Sequence, residues 1–176
     1  MDTQIHIGEQ PTPSKLRASG WDDPCLTCDY KPPFGLWTSS KNEEDRSDWI
    51  DFCECEGFRI PYESWAAWEL DVRADARLFE INTSRDLQQI RATYGLRENE
   101  YSSMSHGIVQ RIDWERFAHN WDGIHLTSKG EFATRGFGVD LLNGWDCEST
   151  VWLNWVFSDV REVSIPIGEM AYEDAY

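Results

Sequence analysis

Basic residues are scarce in this chain. Sixteen Lys and Arg stand against 32 Asp and Glu, a formal charge of −16 at neutral pH. Phosphate recognition needs a basic face, so direct nucleic-acid binding is not expected, and the same deficit disfavours an anionic membrane surface. No apolar run approaches the roughly 18 residues a membrane helix requires. The first ten residues, MDTQIHIGEQ, lack a basic cluster followed by an apolar core, so the sequence predicts no secretory signal and a cytoplasmic location. The five cysteines are odd in number, which argues against a disulfide framework. Among His6, His106, His119 and His125 no pair has the i,i+4 spacing of metal ligands on one helix. Internal repeats and low-complexity blocks are missing as well.

What remains is enough for one core. The 176 residues are 40% hydrophobic and 14% aromatic, with ten tryptophans. Residues 1–167 read as a single domain and 168–176 as an acidic tail. Short β-favouring runs fall at 5–7, 35–39, 68–72, 76–81, 124–126, 145–155 and 160–167. A polar helix is expected around 13–18, and helical spacing predicts three longer helices. The first helix is capped by Ser47 or Asp48, the second by Thr83 or Ser84, and the third, over 112–123, by Asp113. Residues 20–34, 98–107 and the glycine-bearing stretch from Gly130 to Gly144 read as loops. Strands and helices follow no strict alternation, so the sequence predicts an α+β domain with a small split or mixed sheet.

Three groups of residues carry candidate chemistry. Cys25, Cys28, Cys53 and Cys55 have the number and softness for a four-thiolate zinc site. The second pair, however, lies two apart in a predicted helix, where side chains diverge. Incidental thiols and no bound metal are the expectation, with a structural zinc as the open alternative. The tryptophans mostly fill the core; Trp37, beside Thr38, Ser39 and Ser40, is the best candidate for a wall against a planar ligand. Finally, Asp146, Glu148 and Thr150 share one face of an extended strand. Two carboxylates among aromatics are costly unless solvated or engaged, so this face is either an exposed edge or a binding site.

His6 in IHIG, GLWTSS some thirty residues later and Asp-x-Glu on a late strand together resemble the ADP-ribosyltransferases. In that family a first strand supplies a His or Arg for NAD, a second an aromatic or a Ser-Thr-Ser element, and a late strand a glutamate, often within a Glu/Gln-x-Glu pair. The resemblance implies a split sheet of short strands with helices, and NAD as the molecule bound. It implies that His6 bonds a ribose hydroxyl and that Gly8, one residue beyond the family's His-Gly, admits the nicotinamide amide. Trp37 would stack on nicotinamide where the family often has tyrosine, with Thr38 and Ser39 shaping the pocket. Asp146 would take the first place of the acidic pair. Glu148 would be the catalytic residue, holding the 2′-hydroxyl of the nicotinamide ribose. The pattern KPPFGLWTSS…WDCESTVW is also similar to a family of small phage and bacterial proteins with no established activity.

Two functions are therefore expected alternatives. One is NAD-dependent transfer of ADP-ribose to a macromolecule, or cleavage of NAD. The other is a non-catalytic acidic protein, of the kind a phage encodes as an inhibitor, acting in the host cytoplasm. Its charge suits a basic, nucleic-acid-binding host protein, steered by Glu43, Glu44 and Asp45 and by the tail carboxylates Glu169, Glu173 and Asp174.

Overall fold

The structure, a computed structural model, describes residues 3–16, 32, 34–56, 66–95, 112–134 and 145–165. Cys25, Cys28, His106, the loops expected at 98–107 and 135–144, and the acidic tail lie outside the described residues. Seven strands form one sheet: β1 (Gln4–Gly8), β2 (Leu36–Ser40), β3 (Ala66–Val72), β4 (Leu78–Ile81), β5 (Gly123–Leu126), β6 (Ser149–Trp152) and β7 (Phe157–Val163). Their order is β4-β5-β6-β2-β1-β3-β7. Neighbours are antiparallel except β4 and β5, which run parallel. Among the described residues four helices accompany them: α1 (Asp48–Cys55), α2 (Ser84–Tyr94), α3 (Trp114–Asn120) and α4 (Ser128–Thr134). The class is α+β with a mixed sheet, with one more α-helix than the three longer ones the sequence predicts.

Alternation along the strands gives the sheet two buried faces. Trp37, Val151 and Ile124 are register partners across β2, β6 and β5, and they join the core formed with Phe79, Leu87, Ile90 and Phe117. Leu36 and Trp152, one residue out of phase, face the other way and pack with Leu70, Val156 and Phe157. A parallel pair needs a long crossover. Here α2 and α3 supply it, sending Leu87, Ile90, Trp114 and Phe117 onto the first face.

Local signals explain most helix starts. Asp86 accepts the Thr83 N–H at 2.8 Å, the return half of a capping box. The Asp113 carboxylate accepts the Arg116 N–H at 2.9 Å. Ser47 occupies the N-cap of α1 without making a side-chain cap bond. The polar helix expected around 13–18 is a single 3-10 turn after β1, Pro13–Leu16.

Helix α4 corrects the expected loop. A glycine inside SKGEFAT signals a break, yet Gly130 is buried where the helix meets the end of β4. A Cβ there would sit 1.8 Å from the Ile81 carbonyl oxygen. Glycine is present for close approach, and the helix forms around it.

Candidate functional site

Glu148 immediately precedes β6 and is only 5% exposed, so it is no solvated edge. The expected strand over 145–155 is shorter than predicted and begins at Ser149. Alternation therefore does not reach back to Asp146, which is exposed while Glu148 is buried.

Four donors converge on the Glu148 carboxylate. Oε2 accepts from the Ser39 hydroxyl at 2.6 Å and from the Ser40 main-chain N–H at 3.0 Å. Oε1 accepts from the Ser40 hydroxyl at 2.9 Å and from His125 Nε2 at 2.7 Å. The β2–β6 register makes this possible, since continuing from Thr38 opposite Thr150 brings Ser40 level with Glu148. Burial by itself pushes the Glu148 carboxyl up. The bonds from His125, Ser39 and the Ser40 N–H outweigh it and hold the group below the ordinary glutamate value. The carboxylate is thus kept charged inside the protein.

Asp48, at the start of α1, is the second acid of this region. Burial raises its carboxyl, and the charge of Glu148 raises it further, against a hydrogen bond from Ser128 Oγ at 3.2 Å. Cys147 is buried, and burial together with the Glu148 and Asp48 charges lifts its thiol to about 12. Cys53 is likewise buried, whereas Cys55 is exposed, as their spacing in a helix requires. Among the described residues no group of three metal-ligating side chains comes together.

His6 lies in β1, two strands from Glu148 in the order β6-β2-β1. Its Nδ1–H donates to the Trp37 carbonyl at 2.8 Å. Burial lowers its basicity, opposed by backbone hydrogen bonds at Trp37 and Glu9 and assisted by the charge of Lys15. Gly8 adopts φ +141°, and a Cβ there would stand 3.3 Å from His6 Nε2. Glycine thus serves both the backbone turn and the histidine.

The other predicted positions divide by strand phase. Thr38 and Thr150 lie level with each other, and His125 is level with Thr150 across β5 and β6. These three lie on the face that also carries Leu36 and Trp152, as does Gln4 of β1, which is level with Ser40. Thr38 Oγ1 donates to Gln4 Oε1 at 2.7 Å and accepts from Trp152 Nε1 at 2.9 Å. Thr150 Oγ1, fully buried, has no hydrogen-bond partner among the described residues. Trp37 is out of phase with this row. Its ring packs edge-on against Trp145 at 4.7 Å on the opposite face. Of the predicted positions, the structure therefore brings Ser39 against Glu148; Thr38 is engaged with Gln4 and Trp152, His6 lies two strands away and bonds the Trp37 carbonyl, and the Trp37 ring packs on Trp145.

Sequence reasoning attached no role to His125 or Ser40. The available signal is alternation: His125 stands between Ile124 and Leu126, both buried on the α2–α3 side, so it must project onto the face of Glu148's neighbours. No family model matches the chain, and no curated protein or solved structure is similar enough to count as a match.

Proposed function

We propose that this protein is an ADP-ribosyltransferase-like enzyme that takes NAD as substrate. It releases nicotinamide and passes ADP-ribose to a macromolecular target or to water. The observation that carries this reading is the buried, ionised Glu148 held against Ser39 and Ser40 of β2, the strand beside the His6 strand. Three segments far apart in sequence meet as β6-β2-β1.

The chemistry asked of the residues is electrostatic. As the bond between the ribose carbon and nicotinamide breaks, its electron pair goes to the nicotinamide ring nitrogen and positive charge develops on the sugar. A fixed carboxylate stabilises that charge without reorganising. A hydroxyl or water then bonds to the ribose carbon and gives its proton to solvent. In this reading His6 and Gly8 contact the substrate, Asp146 lies at the approach to Glu148, and Trp37 supports β2 from behind rather than stacking on nicotinamide.

The test is nicotinamide release from NAD. Glu148→Gln keeps the side chain's shape and removes its charge, so the rate should drop by about 100-fold or more with the fold retained. Equal rates for wild type and variant refute the catalytic role.

The charge of −16 favours a second reading, a non-catalytic protein that docks on a basic partner. Acidic steering acts on encounter, so raising salt from about 0.05 to 0.5 M should slow association far more than it speeds dissociation. On this reading Glu148→Gln leaves partner binding untouched.

A further inference from the structure

The four donors on Glu148 are not equivalent. Oε2 is held by a main-chain N–H and by Ser39, whose buried hydroxyl also lies 3.0 Å from the Glu148 carbonyl and accepts the Trp49 N–H at 3.4 Å. That end of the carboxylate is locked. Among the described residues, Oε1 is held only by two half-buried side chains, Ser40 and His125. The Ser40 oxygen has a further partner, since Gln4 Nε2 donates to it at 3.1 Å. With its lone-pair positions filled, the carboxylate can accept a substrate hydroxyl only if one donor leaves. The Ser40 hydroxyl is the one able to do so: it rotates freely and Gln4 keeps its oxygen. Oε1 then retains a single protein donor, His125 Nε2.

We propose that His125 is a positioning residue for the reaction at Glu148: its Nε2–H anchors Oε1 while a ribose hydroxyl of the substrate takes the place of the Ser40 hydroxyl. The proposal rests on the function given above. Its geometry suits that task. The His125 side chain is 16% exposed and that of Glu148 6%, so the bond is shielded from water yet next to it. Nδ1 of His125 makes no hydrogen bond among the described residues, which leaves Nε2 as the nitrogen committed to protein. Among the described residues, the charged groups near the imidazole are Glu148 itself, Glu80 level with it on β4, and Asp48 of α1, whose carboxyl feels the Glu148 charge.

Glutamine and leucine at position 125 separate anchoring from bulk. Glutamine can place an N–H near the Nε2 position, whereas leucine fills the space with no donor. Loss of a hydrogen bond to a buried charge predicts that His125→Leu lowers kcat for nicotinamide release by about 10–100-fold, with KM within about threefold. His125→Gln should restore kcat to within about threefold of wild type. A second readout does not depend on turnover: the carboxyl carbon signal of Glu148, in protein carrying carbon-13 glutamate, should titrate at higher pH in His125→Leu than in wild type or His125→Gln. The proposal is overturned by full kcat in His125→Leu, by a glutamine variant as slow as leucine, or by a Glu148 titration that ignores the substitution. A wild type that releases no nicotinamide while the titration shifts as stated refutes the enzyme reading and leaves the anchoring intact.

Discussion

Replacing Glu148 by glutamine swaps one oxygen for an amide nitrogen, and the surrounding donors dictate how it must sit. A main-chain N–H can only donate, so the amide oxygen has to occupy the place of Oε2, facing Ser40 N and Ser39 Oγ. The NH2 group then faces Ser40 Oγ and His125 Nε2. A serine hydroxyl turns to accept, and His125 accepts on Nε2 once its proton moves to Nδ1. Four contacts survive, and what disappears is their charge assistance. A hydrogen bond to a charged group contributes about 1.5–3 kcal/mol and a neutral one about 0.5–1.5 kcal/mol. Relief of the repulsion with Asp48 and of the cost of burying a charge offsets part of that difference. The net expectation is a loss of about 1–3 kcal/mol near pH 7. The sign with pH follows from the direction of the Glu148 shift. A carboxyl held below its ordinary value of 4.5 adds stability above that value and loses it as pH falls through the lower, folded value. The gap between wild type and Glu148→Gln should thus be full near neutrality and close below about pH 4.5. Urea unfolding of both proteins, followed by tryptophan fluorescence at several pH values, measures it. A gap of the same size at both ends of the range, or a variant more stable than wild type near neutrality, would sink the account.

Two further predictions concern packing. Gly130→Ala forces a Cβ to within 1.8 Å of the Ile81 carbonyl, a rigid backbone atom, so α4 must separate from β4; thermal denaturation should show a loss of about 3 kcal/mol or more, and a near-neutral effect would contradict the packing described. Native protein treated with iodoacetamide at mildly alkaline pH should be labelled at exposed Cys55 and resist at Cys53 and Cys147, whose thiols burial lifts to about 11 and about 12. Peptide mass spectrometry reads each site, and Cys147 reacting as fast as Cys55 before unfolding would count against its burial.

Local order was legible where residues two or three apart decide it. The strand around Ile5–Ile7, the helix opened by Thr83 with Asp86, and the helix capped by Asp113 follow from alternation and capping alone. Helix α4 was not, because the reason for Gly130 is a carbonyl on β4 nearly fifty residues earlier in the chain. The site was half legible. Glu148 and Thr38-Ser39-Ser40 stand out by residue type, and their meeting is a matter of register. That the Trp37 ring packs on Trp145, on the face opposite Thr38, also follows from register, since it is one residue out of phase with Thr38. His125 contributes through a strand, GIHL, whose apolar neighbours make it read as ordinary core. Asp146 resembles Glu148 in residue type and spacing, but the strand begins only at Ser149. A bend at 147–148 breaks the alternation between them.

The place of β6 in the sheet has a consequence for biosynthesis. It lies between β2 and β5, and Ser40 contacts Glu148 across 108 positions of sequence. Until the ribosome has released residues 148–152, β2 and β5 each present an open edge of unpaired backbone groups, the surface on which nascent chains associate wrongly. Sealing those edges is a slow, non-local step, because a long loop must close before any contact rewards it. The strand that seals them also delivers Glu148 to Ser39, Ser40 and His125. A chain halted before this point therefore carries the serines and the histidine without the carboxylate, and acquires its charged centre in the same event that hides its sticky edges.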